Sequence, residues 1–192
     1  GPAFVRRRMQ AELGPDWRAR FGSFEDQSTA SASLGQVHRA SALDGRPLAC
    51  KLQYPDMQSA VEADLTQLKV VFALHARFDS AVDTSEILKE IGARLREELD
   101  YTLEAKHTRL YGLIFENDSI IRVPEIELGL STGRLLTMSW LDGRPLLSHK
   151  QDSLEDRNRI AQAMFRAWWY PFSHHGVIHG DPHLGNYTVF SE

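Results

Sequence analysis

Residues 177–190, which read VIHGDPHLGNYTVF, decide how the rest of the chain is interpreted. Two β-forming residues lead into a polar turn, and the alternating segment 187–190 leads out of it as a predicted strand. Asp181 and Asn186 stand five residues apart in this turn. The glycine and proline residues of the turn allow the backbone to bring both side chains to one side.

An aspartate followed five residues later by an asparagine is the spacing of a phosphoryl-transfer loop. In such a loop the aspartate orients the proton of the nucleophile, and the asparagine amide oxygen holds a magnesium ion that bridges the phosphates. We therefore predict Asp181 and Asn186 as catalytic residues, with Asn186 as the metal ligand. Two simpler interpretations stay open. The segment could be a plain turn between strands, or His179 and His183 could hold a metal, although no carboxylate or cysteine set completes that ligand group.

The composition excludes several classes of protein. Apolar residues make up 42% and charged residues 25% of the 192 residues, which is typical of a soluble globular protein of one domain or two lobes. A net charge of −4, with no basic stripe beyond residues 6–8, argues against nucleic-acid binding. A single cysteine indicates a reducing compartment, and no signal peptide or run of ~20 apolar residues is present. We expect a cytoplasmic location. Because the sequence lacks an initiator methionine, we also expect a piece of a longer chain.

The first third of the sequence predicts a β-hairpin that carries one buried cation. A helix over residues 4–13 is followed by the small-residue loop 30–33 and by two strands joined at Leu43–Arg46. Small residues let a backbone approach phosphates closely. Lys51 lies on the return strand 47–53, where it places a long cation in an otherwise apolar neighbourhood.

Two amphipathic helices are predicted next, over residues 56–78 and 84–111. Glu98 projects from the apolar stripe of the second helix, and a carboxylate in that place is costly unless a cation meets it. We predict that Glu98 pairs with Lys51 within about 4 Å. The alternative is a partly exposed Glu98 at the edge of that face.

The remaining segments predict strands over 120–126 and 134–140 and a helix over 154–175. Ser153 is the predicted cap of that helix, with Asp152 as the alternative. Pro171 is expected to kink or end the helix. The helix also carries an aromatic cluster that we assign to the core: Phe165, Trp168, Trp169, Tyr170 and Phe172.

Four segments, taken in order, resemble the signature segments of the UbiB-type atypical kinase family, which is associated with ubiquinone biosynthesis. They are residues 30–38, 49–55, 98–105 and 179–186, reading ASASLGQVH, ACKLQYP, ELDYTLEA and HGDPHLGN. The resemblance implies an α+β, protein-kinase-like fold. Residues 1–138 would form a small β-containing N-lobe with helices. Residues 139–192 would form the hinge and the first part of a helical C-lobe, ending just after the catalytic loop.

The resemblance also implies a role for individual residues. Lys51 matches the lysine that binds nucleotide phosphates, Glu98 matches its acidic partner, and Asp181 and Asn186 match the catalytic-loop pair. Met138 would be the gatekeeper, while the Ser139 carbonyl and the Leu141 amide would meet the adenine. The alanine-rich nucleotide loop of the family corresponds to Ala30, Ser31, Ala32 and Ser33.

The function implied is that of an atypical kinase or ATPase that uses ATP (or ADP) and Mg²⁺ and supports ubiquinone biosynthesis. The implied partners are a nucleotide, quinone-precursor lipids, quinone-biosynthesis proteins and a membrane surface, with attachment at the periphery of the inner membrane. Two family segments are missing. A Lys-x-Gly-Gln segment, whose lysine is expected to meet Glu104, should precede the loop, and an Asp-Phe-Gly segment should follow the last strand.

Two other functions remain as alternatives. A small-molecule phosphotransferase of the aminoglycoside or choline kinase kind shares the His179–Asn186 loop, but the alanine-rich loop and residues 98–105 favour the UbiB type. A pseudokinase scaffold would bind nucleotide without catalysis. The presence of Lys51, Glu98, Asp181 and Asn186 argues against that scaffold.

Overall fold

The computed structural model describes residues 1–32, 34–75, 84–180 and 183–190. The chain divides into two compact units. The first unit comprises Gly1–His107 and Ile126–Ser139, and the second comprises Thr108–Glu125 and Trp140–Glu192. The division into lobes at residue 138 stays a prediction.

The first unit contains four helices and five strands in its described residues. The helices are α1 (Pro2–Leu13), α2 (Met57–His75), α3 (Thr84–Glu98) and α4 (Tyr101–Ile114), the last of which continues into the second unit. The strands are β1 (Ser23–Phe24), β2 (Ala30–Ala32), β3 (Gly35–Ser41), β4 (Pro47–Gln53) and β5 (Leu135–Ser139). The second unit adds β6 (Arg144–Pro145), α5 (Leu154–His175) and β7 (Thr188–Val189).

An antiparallel sheet forms the centre of the first unit. Its strand order is β1-β3-β4-β5, and β2 pairs with β3 beside β1. The predicted hairpin is confirmed as β3 and β4, which pair from Gly35 opposite Gln53 to Ser41 opposite Pro47. Gly45 has a φ of 89° in the connecting turn, a conformation that glycine adopts without steric cost.

The two faces of this sheet support two separate apolar clusters, because neighbouring side chains on a strand point to opposite faces. Leu48, Cys50 and Leu52 of β4 are buried in a cluster with Val5 and Met9 of α1. The opposite face of the sheet carries a smaller cluster, formed by Tyr101, Ala105 and Leu136. Lys51 alternates with Cys50 and Leu52, and it pairs in register with Leu136, so it belongs to the face with the smaller cluster.

The prediction of one helix over 84–111 is wrong, because the chain forms two helices that are separated by Leu99 and Asp100. The Asp100 carboxylate accepts hydrogen bonds from the backbone N–H groups of Thr102 at 2.9 Å and Leu103 at 3.3 Å. It also accepts one from the Thr102 hydroxyl. Asp100 therefore starts α4 as an N-terminal cap, and the break resets which residues share a face.

Residues 120–126 do not form the predicted strand, although all of them lie in the described part of the chain. Only Ile126 contributes, through an isolated bridge to Met138. Pro124 lies inside this segment and has no backbone N–H to donate, which explains why no ladder forms. The prediction of a strand over 134–140 is confirmed by β5.

Helix α5 begins as predicted and presents its aromatic side chains differently. Ser153 caps it, since its hydroxyl accepts a hydrogen bond from the Asp156 N–H at 3.1 Å. Pro171 does not end the helix, which continues to His175. The assignment of the aromatic cluster to the core is wrong for three members, Phe165, Trp169 and Phe172, which are exposed. Within the described residues, no helix is long and apolar enough to cross a membrane.

The cap of α4 gives a first prediction. We expect Asp100→Ala to lower the free energy of unfolding by about 1 kcal/mol, because two backbone N–H groups lose their acceptor. Urea unfolding at neutral pH measures the change, with Asp64→Ala on the exposed side of α2 as the control.

The Thr102 hydroxyl bond lowers the pKa of Asp100. The stabilisation by this carboxylate is therefore present above its ordinary pKa of about 3.9 and is lost as the pH falls through the lower folded-state value. The stability difference between wild type and Asp100→Ala should shrink at that acidic end. A difference that does not change with pH would contradict the capping role.

Candidate functional site

Lys51 meets a carboxylate on the face of the sheet that packs against α4. Its Nζ donates to both oxygens of Glu104 at 2.8 Å. The side chains of Lys51 and Glu104 are 22% and 37% exposed. The pair is therefore partly desolvated at Lys51 and open to water at Glu104.

This geometry corrects the predicted ion pair, because the acid that meets Lys51 is Glu104 and not Glu98. The prediction treated residues 84–111 as one helix and assigned residues 98 and 104 to faces of that helix. In the structure a separate helix, α4, starts at Tyr101, so residue 104 faces a different direction from the one predicted. In α4, Glu104 shares a face with the buried residues Tyr101 and Ala105. Glu98 lies exposed in the last turn of α3. Its assignment as a nucleotide-site residue stays a prediction.

Tyr101 is a member of this site that the sequence interpretation missed. The Lys51 Nζ lies 4.8 Å from the centroid of its ring, within cation–π range. The side chain is 1% exposed, and burial, with added repulsion from Glu104 and Glu98, raises the pKa of its hydroxyl. The spacing of Tyr101 and Ala105, which bracket Glu104 on one helical face, is the sequence signal that could have identified it.

Two contacts hold the junction between α3 and α4 against the sheet. The Gln53 side-chain amide donates to the Leu99 carbonyl at 2.9 Å, and the Tyr101 N–H donates to the Gly133 carbonyl at 3.3 Å. Gln53 is buried at the end of β4, two residues after Lys51. These bonds place the first turn of α4, with Tyr101 and Glu104, over the face that carries Lys51.

Most of the alanine-rich loop is a strand. Ala30, Ser31 and Ala32 form β2, opposite Val37, Gln36 and Gly35 of β3 respectively. Ala30 and Ser31 are exposed, and Ala32 is half-buried. Ser33 lies outside the described residues.

Gly35 marks a close approach at the start of β3. A Cβ added there would lie 2.2 Å from the Leu52 carbonyl oxygen and 3.1 Å from the Tyr101 hydroxyl. The backbone at Gly35 therefore packs directly on β4 and on Tyr101. Only glycine leaves room for this packing.

A buried polar pair supports the same hairpin. His38 is fully buried, and its Nδ1–H donates to the Glu25 carbonyl at 2.8 Å. Its Nε2 then accepts from the Gln36 side-chain amide at 2.7 Å, which fixes the tautomer. Burial lowers the pKa of His38, so the ring stays neutral and satisfied near neutral pH.

The predicted adenine-binding residues lie at the end of β5 and just beyond it. Met138 packs beside the smaller cluster, and Ser139 ends β5 opposite Leu48. Leu141 follows in the second unit. The assignment of these residues to adenine stays a prediction.

The predicted catalytic loop lies in the second unit, where Leu184–Asn186 forms a 3₁₀ turn before β7. The Gly185 N–H donates to Nδ1 of His183 at 3.1 Å, so this histidine caps the turn. Asn186 is exposed at the end of the turn. Its amide oxygen is a donor of the kind that Mg²⁺ prefers, so the residue fits the predicted metal. Asp181 lies outside the described residues.

The corrected ion pair predicts that a paired acid and an exposed acid differ in their contribution to stability. We expect Glu104→Gln to lower stability by about 0.5–1 kcal/mol, the range of a partly exposed ion pair. Asp64→Asn on the exposed side of α2 is the control and should leave stability nearly unchanged. Urea unfolding at low and high NaCl measures both, and salt should reduce the Glu104 effect. Equal losses in the two variants would contradict the pairing.

The close approach at Gly35 gives a further prediction. Gly35→Ala should cost about 1–3 kcal/mol, because its Cβ would meet the backbone carbonyl of Leu52, which cannot rotate away. Gly129→Ala is the control, since a Cβ there meets nothing within 4 Å. Thermal unfolding compares them. If the Gly35 variant is as stable as the control, the start of β3 can move away from β4 without loss of stability.

Comparisons with known proteins identify relatives of this chain. The chain is 31% identical over 194 residues to Protein ACTIVITY OF BC1 COMPLEX KINASE 7, chloroplastic, of Arabidopsis thaliana, covering 98% of this chain and 28% of that protein. It is 30% identical over 183 residues to AarF domain-containing protein kinase 1 of Xenopus tropicalis, covering 94% and 35%. The chain thus spans about a third or less of these curated relatives.

A solved structure confirms the predicted kinase-like α+β fold. It is a complex of Rv3197 with erythromycin from Mycobacterium tuberculosis, and it matches with a TM-score of 0.89 at 31% identity. The match covers 98% of this chain and 48% of the solved one. The ABC1 atypical kinase-like domain matches residues 3–192, so the chain belongs to that family and the UbiB-type resemblance is confirmed.

Proposed function

We propose that this protein binds ATP with Mg²⁺ and transfers the terminal phosphoryl group, either to an acceptor or to water. One observation carries the proposal. Lys51 presents an ammonium group from the interior face of a β-sheet and is held there by a carboxylate at 2.8 Å. Membership of an atypical kinase-like family supports the same chemistry.

Phosphate binding is assigned to the first unit. Lys51 would exchange part of its contact with Glu104 for the phosphate oxygens, a substitution that a partly exposed pair permits. Ala30–Ser33 would cover the phosphates, and Met138, Ser139 and Leu141 would hold the adenine. These roles extend the resemblance to the UbiB type.

Metal binding and proton handling are assigned to the 177–190 segment. Asn186 would hold the magnesium ion through its amide oxygen, and the metal would neutralise charge on the phosphates. Asp181 would orient the attacking hydroxyl group or water molecule and accept its proton.

The cellular role that we propose is support of ubiquinone biosynthesis. Quinone-precursor lipids, quinone-biosynthesis proteins and the surface of the inner membrane would then be the partners. This part of the proposal rests on the UbiB-type resemblance. Lipid extracts recovered with the full-length protein and analysed for quinone precursors would test it.

The proposed division of roles predicts different defects for two loop variants of the full-length protein. Asn186→Ala should weaken Mg²⁺-dependent ATP binding and recover partly at high magnesium. Asp181→Asn should bind ATP almost normally and lower turnover by about 10²-fold or more, the scale of a positioned general base. Calorimetry across a magnesium series, together with phosphate release, separates the two.

Asn158→Ala on α5 is the control, because this asparagine is exposed and lies in the same unit. Lys51→Met is the corresponding variant of the first unit and should weaken ATP binding at every magnesium concentration. If both loop variants bind and hydrolyse ATP like the wild type, the segment is only a turn between strands.

A further inference from the structure

The Tyr101 hydroxyl is a buried polar group without a hydrogen-bond partner. Leaving such a group unpaired costs about 1–3 kcal/mol, so the hydroxyl does not stabilise this arrangement. It is also covered, since it lies beside the Gly35 backbone in a side chain that is 1% exposed. A ligand that reached Lys51 could not touch this oxygen without moving the hairpin.

Unlike the hydroxyl, the ring of Tyr101 has a partner, which is the Lys51 ammonium group. Its face lies 4.8 Å from the Lys51 Nζ, while Glu104 holds the same ammonium group at 2.8 Å. Lys51 therefore has one charged support and one aromatic support. The charged support is 37% exposed and competes with any incoming phosphate, whereas the ring is fixed by the burial of Tyr101.

The two supports respond differently to an anion. A phosphate attracts the ammonium group away from Glu104, because two anions then share one cation. The negative face of an aromatic ring does not compete in this way, and it continues to favour a cation over it. The long lysine side chain loses rotamer freedom when it is held, so a fixed ring reduces the entropy that binding would otherwise cost.

We propose that Tyr101 is a positioning residue for Lys51, and that the face of its ring holds the ammonium group in place for a nucleotide phosphate. This inference rests on the proposed function. It assigns to Tyr101 no contact with the nucleotide. It also makes the hydroxyl dispensable.

The test compares side chains of similar shape at position 101 in the full-length protein. Tyr101→Phe keeps the ring and removes the unpaired hydroxyl, so it should leave ATP affinity within about twofold and stability unchanged or slightly raised. Replacement of Tyr101 by pentafluorophenylalanine keeps the ring but reverses the charge of its face. We expect this variant to bind ATP about fivefold to tenfold more weakly than Tyr101→Phe.

Two controls separate positioning from structural damage. Adenosine has no phosphate, so its affinity should be the same in both ring variants. In a Lys51→Met background the two ring variants should bind ATP equally, because the cation that the ring positions is absent. Calorimetry with ATP and with adenosine supplies all of these values, and thermal unfolding confirms that each variant is folded.

The outcomes distinguish this inference from the proposed function. If the wild type binds no ATP, the proposed function fails. If the wild type binds ATP and Lys51→Met weakens it, but the two ring variants bind ATP equally, the proposed function stands and the role of Tyr101 is refuted. A loss that persists in the Lys51→Met background, or that extends to adenosine, also refutes it.

Discussion

The partial burial of one lysine constrains much of the first unit. Lys51 extends from β4 on the face that carries Leu136 and Tyr101, where a cation without a partner would be costly. A carboxylate must therefore reach that face, and Glu104 does so at 2.8 Å. The strand register, the start of α4 and the position of Tyr101 are all tied to this requirement. A shift of one residue in β4 would exchange Lys51 for Cys50 or Leu52 on that face.

Glu104 reaches Lys51 because the chain breaks between α3 and α4. The Asp100 carboxylate caps the first turn of α4, and the Gln53 side-chain amide donates to the carbonyl of Leu99, which lies within the break. Gln53 and Lys51 lie on the same strand, β4, with only Leu52 between them. The residue that anchors the α3–α4 junction is therefore close to the lysine that needs Glu104 as its partner. The break therefore sets the distance between the ion-pair partners, as well as the direction of the helix.

The sequence was informative where a pattern is local. The hairpin and Lys51 follow from alternation and a glycine turn, and Ser153 is identified as a cap from its spacing to Asp156. Prediction was less successful where a single contact interrupts the helical repeat of apolar residues. Helical spacing favoured Glu98 because the cap at Asp100 was not recognised, although an aspartate two residues before a threonine is a signal for it. The exposed aromatic residues of α5 show the same limit, since a helical stripe indicates which residues share a face and not what covers that face.

The partial exposure of the ion pair suits the exchange of partners that the proposed function requires of Lys51. A buried pair would bind Lys51 strongly but would leave Glu104 as an uncompensated charge once the ammonium group moved. At 37% exposure Glu104 can be hydrated when the cation leaves, so the exchange costs little. The ring of Tyr101 is buried beside Lys51, so it would stay in place during this exchange. Under the proposed function, an exchangeable acid and a fixed ring would together give a cation that is oriented before a phosphate arrives and free to bind it.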